Sequence, residues 1–236
     1  MPLLGAAAML LSFDIAPEAI DEHDHWHTHE HLPERLAIPG FLRGTRWIAL
    51  RGQPRYLVLY EVAELATLTS DAYLARLNSP STWTAKMMPH YRGMSRGFCT
   101  VTASFGFGVG NVAALMRFKP ATDALASLRD WLRQDALPHL TDKPGMGAVH
   151  LLEGALTPAM THEQRLRGQD AGQDWALLLT AYSREALDHV VQTDLSVTHL
   201  NSRGVTGVVE ATYRIDYSLS HDELDTSPFA GLKHGR

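Results

Sequence analysis

Apolar residues along the chain fall into short blocks that recur twice in the same order. Residues 8–15 (AMLLSFDI) form an apolar run of strand length, and the stretch after it opens at Pro17, a residue favoured in the first turn of a helix. That helix is expected to end near Leu32-Pro33. Two β-rich runs follow at 42–50 and 55–62, joined by Arg51-Gly52-Gln53-Pro54, which has the Gly and Pro of a hairpin turn. A second helix over 71–77 starts at a Thr69-Ser70 cap, and a last strand is expected over 98–105. This order, β-α-β-β-α-β, is that of a ferredoxin-like unit. The blocks at 112–118, 123–137, 146–153, 174–182, 185–195 and 205–217 repeat it.

Individual residues support the repetition. Phe13 matches Phe118, Trp26 matches Trp131, Leu32-Pro33 matches Leu137-Pro138 and Pro39-Gly40 matches Pro144-Gly145, all 105 residues apart. RYLVLYEV (55–62) lines up with DWALLLTAY (174–182) at 119, so the second copy carries about fourteen extra residues near 155–173. Ser95-Arg96-Gly97 lines up with Ser202-Arg203-Gly204 at 107, which makes the second copy about twelve residues shorter before its last strand. The fold class expected is α+β, with two tandem ferredoxin-like repeats, 1–106 and 112–220, a linker at 107–111 and a tail at 221–236. An antiparallel sheet with helices on one face leaves the other bare. Packing the two sheets face to face as an intramolecular α+β barrel buries both.

Composition narrows the function classes. The net charge of −5 gives no basic footprint for nucleic acid or an anionic membrane. A single cysteine, Cys99, cannot form an intramolecular disulfide and fits a reducing, cytoplasmic setting. The apolar start, residues 1–13, has no preceding Lys or Arg and is too short to span a bilayer, so it is read as the first strand. Arg96-Gly97-Phe98-Cys99-Thr100-Val101 partly matches an RNA-recognition signature but lacks its later aromatics. Gly106-Phe107-Gly108-Val109-Gly110 joins the two copies with no helix directly after it, which excludes a dinucleotide loop.

The chemistry concentrates in the first helix of the first copy. HDHWHTHEH (23–31) has a histidine at every second position, including the i, i+4 pairs His23/His27, His25/His29 and His27/His31. Such pairs can chelate zinc, but no third ligand in a known pattern accompanies them, so no metal site is expected. At 100° per residue, Ile20, Asp24, His27 and His31 share a face whose counterpart in the second copy carries Leu125, Leu132 and Ala136. Burying imidazoles without partners is costly, so this face is expected to border a hollow. His25 and His29 are assigned to solvent. His31 has two open readings: general acid or base, with Glu30 or Asp24 orienting it, or a cap in the last helical turn. Arg35 suits an anionic substrate group or a surface charge. Trp47 and Tyr60, on strands, suit a pocket wall or the core.

The run WHTHEHLPERLAIPGFLRGTRW (26–47), with RYLVLYEV and LNSPSTW (77–83), resembles the dimeric α+β barrel superfamily. It is similar in particular to bacterial members with a W-x-x-x-E-H-L-P-E-R-L segment followed by P-G-F. The resemblance is close over 11–105, and the second copy keeps only its skeleton. The superfamily includes polyketide-tailoring monooxygenases, EthD-like proteins, muconolactone isomerase, stress-responsive barrels, and relatives of haem-binding chlorite dismutase and dye-decolourising peroxidase. It implies a small-molecule site more strongly than any one reaction. Carried over, it points to Glu30-His31 facing a cavity between helix and sheet. The expected function is a small-molecule-binding protein or a cofactor-independent isomerase, lyase or oxygenase, with His31, Glu30 and His27 as catalytic candidates. Asp24, Arg35, Trp47 and Tyr60 are the substrate-binding candidates. The alternatives are haem or ligand binding without catalysis, or a structural module. No cofactor is expected, haem and zinc being the nearest alternatives. The partner is a small molecule, and the chain is a monomer with an internal pseudo-dimer, or a homodimer.

Overall fold

A computed structural model describes residues 3–155, 161–167 and 174–225. The first half comprises β1 (Ala7–Ile15), α1 (Ile20–Trp26), a π-turn (His27–His31), α2 (Leu32–Leu36), β2 (Phe41–Arg51), β3 (Tyr56–Val62), α3 (Asp71–Asn78), α4 (Thr82–Met87) and β4 (Tyr91–Gly106). The second comprises β5 (Val112–Pro120), α5 (Leu125–Trp131), a π-turn (Leu132–Ala136), α6 (Leu137–Thr141), β6 (Met146–Ala155), α7 (His162–Arg167), β7 (Trp175–Ala181), α8 (Arg184–Gln192), α9 (Val197–Ser202) and β8 (Val205–Ser220). A last helix, α10 (His221–Asp225), follows.

The strands close into one barrel in the order β1-β3-β2-β8-β5-β7-β6-β4, every pair antiparallel. Each half contributes four strands in ferredoxin-like order, and the seams β2·β8 and β4·β6 join them. Closure leaves no barrel strand with an open edge. Period-two alternation sorts the side chains: Ala8 and Leu10 enter the barrel, while Met9, Leu11 and Phe13 face the helices. The barrel interior is one apolar core shared by both halves, including Leu10, Trp47, Leu57, Leu59, Leu115, Leu178 and Tyr213. Each half has a further core between its sheet and its own helices.

The first helix departs from expectation: it does not stop at Leu32-Pro33 but continues to Leu36. Pro33 has no N–H to donate, and the helix accommodates this by widening into a π-turn just before it, closed by the Leu32 N–H donating to the His27 carbonyl. The second half repeats the device 105 residues on, with Leu137 N–H donating to Leu132. Gly44 lets the helix sit close on the sheet, since a Cβ there would stand 2.5 Å from Leu32 Cδ2. Ser81 and Ser196 each accept a backbone N–H at the start of a helix not expected from the sequence, α4 and α9.

The fourth strands correct one alignment. β4 starts at Tyr91, seven residues before the expected 98, and β1 pairs Ala7 with Thr100 where β5 pairs Val112 with Arg214. The equivalent offset is therefore 114, not 107, and the second half is shorter there by five residues rather than twelve. Gly93 and Gly207, both at positive φ (58° and 62°), mark the same place in the two strands. Ser95-Arg96-Gly97 lies within β4, whereas Ser202-Arg203-Gly204 ends α9 and leads into β8, so that match was coincidental. The expected tail begins with α10, which docks on the first half: His221 Nδ1 lies 2.8 Å from the Leu36 carbonyl and Leu224 packs on the core. Residues 226–236 lie outside the described residues.

Candidate functional site

The first-half helix presents three buried imidazoles, His23, His27 and His31, one turn apart. Their ring centroids are separated by 5.5 Å at each step. An ideal helix lets residues four apart drift around the axis; the π-turn holds more residues per turn and keeps His27 and His31 aligned. His23, not Asp24, therefore extends the face. Asp24 sits beside it, accepting from the Tyr56 hydroxyl at 2.7 Å and lying 3.0 Å from His23 Nδ1. Arg46 ties the helix to the barrel through Asp216 (2.7 Å) and the Thr28 hydroxyl (3.1 Å).

Below this face lies a narrow, open-mouthed cavity between the helices and the sheet, whose space for the centre of a water-sized sphere is about 20 Å³, so a ring-sized ligand enters only as the lining side chains move apart. His27, His31, Arg35, Tyr60, Tyr73, Tyr91 and Arg96 supply its polar wall, and Met9, Leu11, Phe13, Val58, Leu77 and Met94 its apolar one. A final lining residue, Glu163, comes from α7 of the second half. Its carboxylate accepts from Arg35 Nη2 at 2.5 Å, with side chains only 2% and 3% exposed.

Among the described residues, His27 Nδ1, Arg35 Nη1 and the Tyr60 hydroxyl at this cavity have no hydrogen-bond partner. Each buried unsatisfied group costs on the order of 1–3 kcal/mol. Burial holds His27 well below the ordinary histidine range, and the charges of Arg46, His23 and Arg35 add to the effect, so the ring is neutral at pH 7. His23 is likewise lowered by burial, partly offset by its contact with Asp24. Burial also raises the Tyr60 hydroxyl, opposed by the Arg35 charge. For Arg35 burial works against the charged form, but the Glu163 carboxylate outweighs it and the group stays cationic.

The expected site residues divide. His27, His31, Arg35 and Tyr60 come together at the cavity. Arg35 is fully buried rather than a surface charge. His31 is not in the last helical turn, because the helix runs on to Leu36, so the capping reading falls away. Glu30 points elsewhere, accepting from Trp26 Nε1 (3.1 Å) and the Ser81 hydroxyl (2.5 Å), where it holds α4 against the helix. Trp47 lies inside the barrel and Asp24 beside His23, and neither lines the cavity. His25 and His29 are exposed, with rings 4.4 Å apart. No group of three His, Cys, Asp or Glu among the described residues is placed to hold a metal ion. Cys99 is buried in the barrel, its thiol pushed up to about 12. No described helix is long and apolar enough to cross a membrane.

Glu163, Arg96, Tyr73 and Tyr91 were not anticipated at the site. Glu163 had one visible signal, its place within the extra residues of the second copy; Arg96 was hidden by the coincidental tripeptide match.

No family model and no curated protein matches the chain. Solved structures do. An anthrone oxidase-like protein superposes with TM-score 0.64 at 12% identity, over 94% of this chain and 96% of its own. A monooxygenase assigned by name in Fusobacterium nucleatum subsp. nucleatum gives 0.62 at 8%, over 92% and 95%. A chlorite dismutase variant from Candidatus Nitrospira defluvii gives 0.53 at 10%, over 92% of each chain. At such identities the likeness is one of fold: this chain has the ferredoxin-like α+β barrel architecture, with both halves supplied by a single polypeptide.

Proposed function

We propose that the first-half cavity binds a small, mostly apolar molecule through one oxygen atom and moves a proton at or beside that oxygen, as a cofactor-independent isomerase, lyase or oxygenase does. The observation that carries this reading is that His27 Nδ1, Arg35 Nη1 and the Tyr60 hydroxyl, all buried and without a partner among the described residues, belong to the lining of one cavity whose other wall is apolar. Arg35 and Tyr60 are donors suited to a ligand oxygen, and neutral His27 is a proton acceptor. Negative charge growing on that oxygen raises the basicity of the adjacent imidazole and is itself stabilised by Arg35, so binding and proton transfer support each other. His31 is the second acid/base group on the same wall. The names borne by the structural neighbours, an anthrone oxidase-like protein and a monooxygenase, favour the oxygenase branch of this reading.

Anthrone, an enolisable ketone, is a suitable probe: with O2 it gives anthraquinone and water, and oxygen uptake follows the reaction. The wild-type protein is expected to accelerate this uptake, and His27→Leu to lower the rate by about 100-fold or more while the fold is retained by circular dichroism. Undiminished uptake in a folded His27→Leu variant would remove His27 from the reaction. Binding is tested separately with 2-naphthol, followed by tryptophan fluorescence; the expected result is saturable quenching that His27→Leu/Tyr60→Leu abolishes.

A further inference from the structure

The second half does more than complete the barrel, because α7 sets one of its residues into the first-half site. α7 packs against α3, and its first N–H, from His162, donates to the Asn78 side chain at 3.2 Å. This seats Glu163 over Arg35, where the pair is buried from solvent. The equivalent of Arg35 in the second half is Leu140, which needs no such partner. One guanidinium nitrogen of Arg35 is thus held by Glu163, while the other, Nη1, remains available at the cavity.

We propose that Glu163 is the specificity-determining residue of the cavity: by compensating the charge of Arg35 it biases the site toward uncharged oxygen-bearing ligands, phenols, enols or ketones, and against carboxylates. A carboxylate ligand entering beside Arg35 meets a carboxylate already there, in surroundings where like charges repel strongly. An uncharged oxygen can still accept from Nη1 without displacing Glu163. Arg96, the other arginine on the lining, stands on the sheet side with its guanidinium 5.0 Å from the centre of the Phe98 ring; it attracts a carboxylate equally in the wild type and in Glu163→Gln, so the change in preference between the two chains isolates Glu163.

The inference rests on the cavity being a ligand site, and the experiment separates the two claims. Affinities for 2-naphthol and 2-naphthoate are measured on the wild-type chain and on Glu163→Gln. The wild type is expected to bind 2-naphthol at least about tenfold more tightly than 2-naphthoate, and Glu163→Gln to shift that ratio by about tenfold or more toward the carboxylate. Binding of both probes with an equal or reversed wild-type preference overturns the role of Glu163 while sparing the site. A folded Glu163→Gln chain with an unchanged ratio does the same. Failure of both probes to bind the folded wild type overturns the site itself, and the inference with it. If Glu163→Gln does not fold, an equal or reversed wild-type preference still overturns the inference, and Glu163→Ala in the folded Arg35→Leu background takes its place. With both charges of the pair gone it should leave the wild-type ratio unchanged; a shift of about tenfold or more away from the carboxylate, as the loss of an uncompensated Arg35 would give, overturns the inference.

Discussion

The helix-to-sheet interfaces of the two halves share a backbone and differ in what fills them. Both have a π-turn before a helical proline, a glycine at positive φ before the second strand (Gly40 and Gly145) and another in the fourth (Gly93 and Gly207). Yet His23, His27, Arg35 and Tyr60 of the first half correspond to Leu128, Leu132, Leu140 and Leu179 of the second, and every one of those leucines is buried in a continuous apolar core. A π-turn often marks a functional site, but here it is common to both halves and does not distinguish them. The side chains distinguish them: the first half fills buried volume with polar groups, among them His27 Nδ1, Arg35 Nη1 and the Tyr60 hydroxyl with no partner among the described residues, and the second uses the same volume for apolar packing.

The largest test of that contrast is the buried ion pair. Arg35→Leu alone strands the Glu163 carboxylate and should cost about 3–5 kcal/mol in urea denaturation, whereas Arg35→Leu/Glu163→Leu, which copies the apolar setting of Leu140, should recover most of it. A single-variant loss under about 1 kcal/mol would mean that the pair is not buried as described. Next in size, Leu132→Ala or Leu179→Ala should each cost about 2–5 kcal/mol. His27→Leu, the same position in the first half, should be neutral or stabilising by about 1 kcal/mol, because it removes an unsatisfied polar group. Equal losses at His27 and Leu132 would erase the difference between the halves.

Proton linkage gives a smaller effect with a definite sign. His27 is held well below its unfolded value, and His150, buried and pushed down to about 3, behaves likewise. A histidine whose folded value is depressed binds its proton preferentially in the unfolded chain. Its contribution is present above the unfolded value near 6.5 and is lost as pH falls below it, by about 1.4 kcal/mol per pH unit for each group. Between pH 6 and 5, His27→Leu should therefore reduce the slope of stability against pH by about one group's share. A slope unchanged by the substitution would show that His27 is already protonated in the fold. At the small end, His25→Ala and His29→Ala should each change stability by less than about 0.5 kcal/mol and leave 2-naphthol binding unaltered, as exposed residues do.

Much of this contrast was legible in the sequence, and the parts that were not have specific causes. Alternation and the offset of 105 carried the ferredoxin-like order and the idea that imidazoles stand where the second half packs leucine. Ideal helical geometry then put Asp24 on the active face and omitted His23, because a proline-induced π-turn changes the angular step and leaves no periodic trace of its own. Glu30, next to His31 in the chain, was grouped with it, but adjacent helical residues point about 100° apart, and Glu30 instead anchors Trp26 and Ser81. Trp47 followed strand propensity, which does not say which face of a closed sheet a residue occupies. Glu163 reaches Arg35 across 128 positions of chain, a contact that no local pattern encodes.

The central claim is that the first half alone carries a small-molecule site, formed where His27, Arg35 and Tyr60 converge. The most direct measurement is a crystal structure of the wild-type chain soaked with 2-naphthol. The account predicts one ring system against Met9, Leu11 and Val58, its oxygen within about 3 Å of Arg35 Nη1 and the Tyr60 hydroxyl. A ligand bound elsewhere, in the barrel interior or against Leu132 and Leu179, or a cavity that stays free of ligand in saturated crystals, would contradict it.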